Sequence, residues 1–216
     1  MSAFNNRLVR SAASLATVAI MGTTLLVGVN KLTAERIAEQ ERRIVLEQLS
    51  QIINPERYDN RLQEDRIVVE DDVYFPRGQS VTVYRARQGG EPAAVVMKLA
   101  AVNGYNGMIR LLVGVNADGT LSGVRVASHK ETPGLGDAIE IERSNWVLGF
   151  NDRSLQDPSA SGWAVKRDGG TFDQFTGATV TPRAIVEAVR MALEYFQEHQ
   201  AFLFESPAQE GPVEET

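Results

Sequence analysis

Two short segments contain the residue types from which a ligand site is built. Residues 175–184 read FTGATVTPRA, and residues 129–136 read HKETPGLG. In the first, Thr176, Thr179 and Thr181 surround the small pair Gly177-Ala178, just before Pro182 and a helical pattern. Hydroxyls at a helix start have two uses. Thr181 as N-cap with Pro182 at N1 is ordinary helix punctuation. The same place favours a phosphate, because free N–H groups and the helix dipole both attract an anion. The small pair leaves room for a bulky planar or phosphorylated group. In the second segment, Pro133-Gly134 is the expected central pair of a type II turn. Gly134 and Gly136 also permit close approach of backbone to a ligand. A dinucleotide-binding fingerprint is excluded, because it needs Gly or Ala where Ile139 stands. No GxxxxGK[ST] phosphate loop occurs either.

Composition removes other chemistries. The 216 residues contain no cysteine, which excludes disulfides, thiolate metal sites and a Cys nucleophile. The two histidines, His129 and His199, are far apart in sequence, so no metal site is expected. The net charge of -6, with no basic stripe, argues against a nucleic-acid partner.

The elements that must position these segments follow from hydropathy. Arg7 and Arg10 precede an uncharged run from Ser11 to Asn30. As a helix it would span about 30 Å, enough to cross a bilayer. It lacks an A-x-A cleavage site, so a retained single-pass anchor is expected, its N-terminus cytoplasmic. Leu32 to Ile53 has partial helical periodicity and reads as a stalk or a partner-binding helix, ended by Pro55. Strands are expected at 66–70, 80–88, 93–102, 108–116 and 120–129, with turns at Gly89-Gly90 and Asp118-Gly119, giving an antiparallel sheet. Residues 141–150 read as helical around Trp146, and Pro182 to about Phe204 as a long amphipathic helix. The acidic tail has no core-forming pattern. The fold class is therefore α+β. The segments are 1–30 (N-terminus and membrane helix), 31–90 (stalk, linker and first strands), 91–204 (ligand-binding domain) and 205–216 (tail).

The motif TGATVT, with Asp173 in DQFTGATVT, resembles the S/T-G-A-T-x-S/T flavinylation motif of the covalent FMN-binding domain family. That resemblance implies FMN esterified through its phosphate to Thr181, the last motif position. It also implies recognition of Asp173, Thr176, Gly177, Ala178, Thr179 and Thr181 by a flavin transferase. The order of anchor, stalk, NGYNGMIRLLVGVNADG, ETPGLG and TGATVT is similar to the family's membrane-anchored members. These are the G-type component of the Rnf electron transport complex and the C-type flavin component of the sodium-pumping NADH:quinone reductase. Chain length and the run from the anchor into YDNRL favour the first.

The implied function is a redox subunit, incomplete alone. It would relay electrons among membrane and peripheral subunits of an Rnf-type complex that couples ferredoxin and NAD chemistry to ion transport. It would sit in a bacterial inner membrane with the FMN domain periplasmic. Glu131, Thr132, Gly134, Leu135 and Gly136 are then expected to line the flavin, more through backbone than side chains. His129 and Lys130 are weaker candidates. The N–H groups of Arg183 and Ala184 are expected at the phosphate; the Arg183 side chain reads as solvated or as a charge contact. Thr179 reads as a phosphate contact or a turn former. Trp146 and Trp163 read as core or interface residues, not flavin stackers. The alternatives are a membrane-anchored scaffold in which Thr181 is only a cap, a noncovalent flavoprotein, and a flavinylated domain of another assembly.

Overall fold

The computed structural model describes residues 15–16, 19–23 and 46–208. The chain divides into two compact units, Met1–Val45 and Leu46–Thr216. In the first, the described residues are helical and exposed, Leu15, Ile20 and Met21 among them. Arg7, Arg10, most of the run Ser11–Asn30, the stalk up to Val45 and the tail from residue 209 lie outside the described residues. Among the described residues no helix is long and apolar enough to cross a membrane.

The second unit is built on five strands: β1 (Arg66–Val69), β2 (Val81–Gln88), β3 (Glu91–Gly104), β4 (Gly107–Asn116) and β5 (Leu121–Ser128). They form one antiparallel meander in the order β1-β2-β3-β4-β5. Short connections dictate that order. Gly89 and Gly90 turn β2 into β3 with positive φ, and Gly119 does the same between β4 and β5. Alternation sends Val83, Val95, Met97, Leu111 and Val113 into one core. The helix α1 (Val180–Glu205) covers that face with Ile185, Val189, Ala192, Leu193 and Phe196. Each fully buried aliphatic of this kind contributes roughly 1.5–3 kcal/mol.

The chain before β1 uses the sheet as well. Residues 46–50 are helical, and Ile52 and Ile53 are buried. Ile52 lies over the cross-strand pair Gly114 and Gly123. A Cβ on Gly114 would come within 2.3 Å of Ile52 Cγ2, so this contact needs glycine.

Between β5 and α1 the chain runs through turns and short 3-10 helices, including Asp137–Ile139, Trp146–Phe150 and Lys166–Asp168. The helical expectation at 141–150 thus becomes a single 3-10 segment. Aromatic side chains hold this layer. Phe150 stacks on Phe172 at 4.6 Å between centroids, Trp163 lies 5.2 Å from Phe172, and Trp146 meets Phe175 edge-on at 5.3 Å. Both tryptophans are therefore packing residues. Trp146 Nε1 also donates to the Asp173 carbonyl (2.7 Å), fixing the chain that leads into FTGATVT.

Candidate functional site

α1 begins at Val180, two residues earlier than its sequence pattern indicates. Thr179 is the N-cap residue, its side chain making no capping bond, and Thr181 lies inside the first turn. Pro182 follows at the third helical position. That position tolerates proline, because its N–H would have no intrahelical acceptor. The Arg183 N–H donates to the Thr179 carbonyl (3.3 Å) and belongs to the helix ladder. The N–H groups free of that ladder are those of Thr179, Val180 and Thr181, in place of the expected Arg183 and Ala184.

The Thr181 side chain is fully buried, and its hydroxyl donates to Glu131 Oε2 at 2.5 Å. Glu131 is itself only 5% exposed. Its other oxygen, Oε1, accepts the Asn106 backbone N–H at 3.0 Å. No cation pairs with this carboxylate among the described residues, so two neutral donors and the helix N-terminus stabilise it. Two glycines admit it. A Cβ on Gly104 would sit 2.9 Å from Oε1, and one on Gly136 would sit 2.9 Å from Glu131 Cβ and 3.0 Å from Oε2. The expected preference for backbone over side-chain roles in ETPGLG is therefore corrected at Glu131, whose side chain is the contact to Thr181.

Two turns frame this pair. Thr132-Pro133-Gly134-Leu135 is the expected turn: the Leu135 N–H donates to the Thr132 carbonyl (3.1 Å), and Gly134 has φ +77°. The buried Asp137 carboxylate accepts the Gly134 N–H (2.8 Å) and anchors the turn from below. Asn106 Nδ2 ties it to the β3–β4 hairpin by donating to Thr132 Oγ1 (2.9 Å). The second turn is Phe175-Thr176-Gly177-Ala178, closed by the Ala178 N–H to the Phe175 carbonyl (3.1 Å), with Gly177 at φ +84°. Positive φ explains why glycine stands in each.

Between the turns and the start of α1 lies a cavity of about 530 Å³. That is within the range of roughly 300–1,000 Å³ typical of small-molecule sites. Glu131, Thr132, Leu135, Gly136, Gly177, Ala178, Thr179 and Thr181 line it. Thr176 and Gly134, also expected there, shape the turns without lining the cavity. Lys130 lies outside it. His129 supports the loop: its Nδ1 accepts the Glu131 N–H (3.0 Å), which leaves Nε2 to donate to Glu140 (2.9 Å). Asp173 is exposed and pairs with Lys166 (2.6 Å), on the surface stretch before the motif.

Three lining or supporting residues were not among the expected site residues: Tyr105, Asn106 and Arg167. The first two sit in NGYNG, within a stretch that carries the family resemblance but no expected site role. Arg167 sits in KRDGG, which reads only as a turn. Its guanidinium lies 3.5 Å from Thr179 Oγ1 and makes no ion pair among the described residues. Arg183, in contrast, is clamped by Asp168 through two bonds of 2.7 and 2.9 Å. Those bonds hold the Asp168 carboxyl below its ordinary value and raise Arg183.

The cavity thus has a polar floor and cationic rim beside exposed apolar side chains, Tyr105, Leu135 and Val180. That division suits a ligand with an anionic end and a flat apolar end. A sheet capped by one long helix, with this site at the helix start, corresponds to an FMN-binding domain, and the model of that family matches residues 104–194. A second family model, for the N-terminal region of RnfG, matches residues 1–52. Relatives named as the G subunit of an ion-translocating oxidoreductase complex are similar over nearly the whole chain. One from Shewanella loihica is 46% identical, covering 93% of this chain and 95% of its own. One from Pseudomonas aeruginosa is 46% identical, covering 90% and 91%. One from Pseudoalteromonas atlantica is 48% identical over 80% of each. The chain belongs to this RnfG family, the G subunits of ion-translocating oxidoreductase complexes.

Proposed function

We propose that this chain is the membrane-anchored flavoprotein subunit of an ion-translocating oxidoreductase complex, with FMN joined through its phosphate to Thr181. One observation carries the covalent reading: the Thr181 hydroxyl lies at the floor of a cavity framed by both turns, at the start of α1. A phosphodiester there meets the free N–H groups of Thr179, Val180 and Thr181 and the positive end of the helix. Arg167, at the rim, makes no ion pair among the described residues. Tyr105, Leu135 and Val180 offer apolar surface beside the polar floor.

When bound, FMN supplies reversible electron transfer through its isoalloxazine ring. The protein's part is to hold the phosphate, exclude water from its link and leave the flat part of the group near the surface. The domain then exchanges electrons with redox groups of neighbouring subunits. Thr181 is a modification site and takes no part in turnover. Asp173, Thr176 and Gly177 are exposed and form the accessible part of the sequence that a flavin transferase would read.

The uncharged run Ser11–Asn30 supports a single membrane helix spanning an inner membrane, with Arg7 and Arg10 on the cytoplasmic side and the domain on the periplasmic side. Residues 31–90 then carry the stalk, the linker and the first two strands of the sheet that 91–204 completes, with 205–216 as a tail.

The test is intact mass. Protein matured with a flavin transferase gains one FMN minus water and keeps flavin fluorescence after denaturation. Thr181→Ala lacks both. An equally fluorescent Thr181→Ala protein would end this reading.

A further inference from the structure

Glu131 is the only side chain bonded to the Thr181 hydroxyl among the described residues, and flavin attachment by itself gives that contact no task. A buried carboxylate without a cation is unfavourable unless its hydrogen bonds hold it. Here Asn106 holds Oε1, and Gly136 leaves space for Oε2 beside Oγ1. A residue needed only for packing would not require a charge at this place.

We propose that Glu131 is the general base for flavin attachment, taking the Thr181 hydroxyl proton on Oε2 as Oγ1 attacks phosphorus. This rests on the reading that Thr181 is the attachment site. Joining an alcohol to a phosphate needs an activated donor, a flavin nucleotide whose phosphate is part of an anhydride. The Oγ1–P bond forms and the anhydride P–O bond breaks. The electron pair leaves with the departing nucleoside monophosphate, and the proton moves from Oγ1 to Oε2. Nothing is oxidised or reduced. The distance of 2.5 Å already suits that proton transfer.

The product explains why a carboxyl group stands here. The ester no longer has a hydroxyl hydrogen to donate to Oε2, and a phosphodiester anion is now its neighbour. An ionised Glu131 would be repelled there, whereas the protonated carboxyl donates to the phosphate. Proton transfer thus changes the residue from acceptor to donor without moving it. Oγ1 is covered from bulk solvent, so the donor reaches it from the cavity side.

The test measures attachment to the full chain by purified flavin transferase with flavin adenine dinucleotide, followed by intact mass. Glu131→Gln is the informative variant. Its carbonyl still accepts the Asn106 N–H and its amide still reaches Oγ1, but it cannot take a proton. The expected result is a fall in kcat of roughly 10²-fold or more with little change in the KM for the acceptor chain. Glu131→Ala should be as slow, and formate should restore part of its rate by occupying the space left by the carboxylate. Glu131→Gln modified at the wild-type rate overturns the proposal, as does a Glu131→Ala protein that formate leaves unchanged. Thr181→Val separates the two readings. If it gains the same mass, the attachment site is wrong. If it stays unmodified while Glu131→Gln reacts normally, only the role of Glu131 is wrong.

Discussion

The two ends of α1 meet opposite charges from the sheet and loop layers, and the N-terminal end borders the cavity. At the C-terminal end Arg85 is 2% exposed. It donates to the carbonyls of Leu203 (3.2 Å) and Ser206 (2.5 Å) and pairs with Asp65. Arg87 adds bonds to Asp65 (2.8 Å) and to the Phe204 carbonyl (2.6 Å). Asn60 bonds Asp65 as well and spans to the β2 backbone. At the N-terminal end the charge is a carboxylate, Glu131, held by a hydroxyl and one backbone N–H. The helix dipole favours both placements. Asp65 bridges the two arginines, whose other donors go to the terminal carbonyls, which makes the C-terminal end a clasp. The anion at the other end has no counter-ion among the described residues, and one of its two donors is a group that chemistry can alter. One end is tied to the sheet by ion pairs, while the other leaves a buried carboxylate beside a cavity.

Removing the clasp should have the largest effect on stability. Arg85→Ala leaves Asp65 and the terminal carbonyls without their central donor. The expected loss is about 3–5 kcal/mol in denaturant unfolding. Arg87→Ala, at a more exposed position, should lose less. A protein of unchanged stability would mean that the clasp does not hold the helix. The cavity end should separate activity from stability. Gly136→Ala places a Cβ against both Glu131 and Thr181. The expected cost is about 1–3 kcal/mol, together with a flavin content well below wild type by intact mass. Full flavin loading would show that the carboxylate's position is not critical.

The smallest effect is expected at the exposed Arg183–Asp168 pair. Asp168→Asn should leave flavin attachment intact and lower the melting temperature slightly at neutral pH. Because the folded-state carboxyl is depressed, the pair's contribution is present above about pH 4. It is lost as pH falls through the lower folded value. Wild-type and variant melting temperatures should therefore converge in acid. A difference that grew on acidification would contradict the ion pair as its source.

Much of the fold was legible. The β-rich runs at 81–88 and 108–116, glycines at 89–90 and 119, and the spacing of Ile185, Val189 and Phe196 are local signals that survive folding. The Thr132–Leu135 turn was legible for the same reason, since Pro133 and Gly134 state their own dihedral preferences. The helix start was displaced by two residues because proline fits any first-turn position, so Pro182 marked the turn without numbering it. Tyr105, Asn106 and Arg167 were invisible as site residues. Each is ordinary in its own segment and acquires a neighbour only when the β3–β4 hairpin and the KRDGG turn fold against the start of α1.

By itself the sequence determined the strands, the turns and the long helix, and its motif singled out the threonine proposed here for the phosphate. Those depend on backbone preference, burial periodicity and a contiguous motif. Only the tertiary structure decided that Glu131, fifty residues earlier, faces that threonine, and that one helix end is clasped while the other is open. Those depend on distances between segments, which arise when the sheet brings β5's loop to the head of α1 and β2's arginines to its tail.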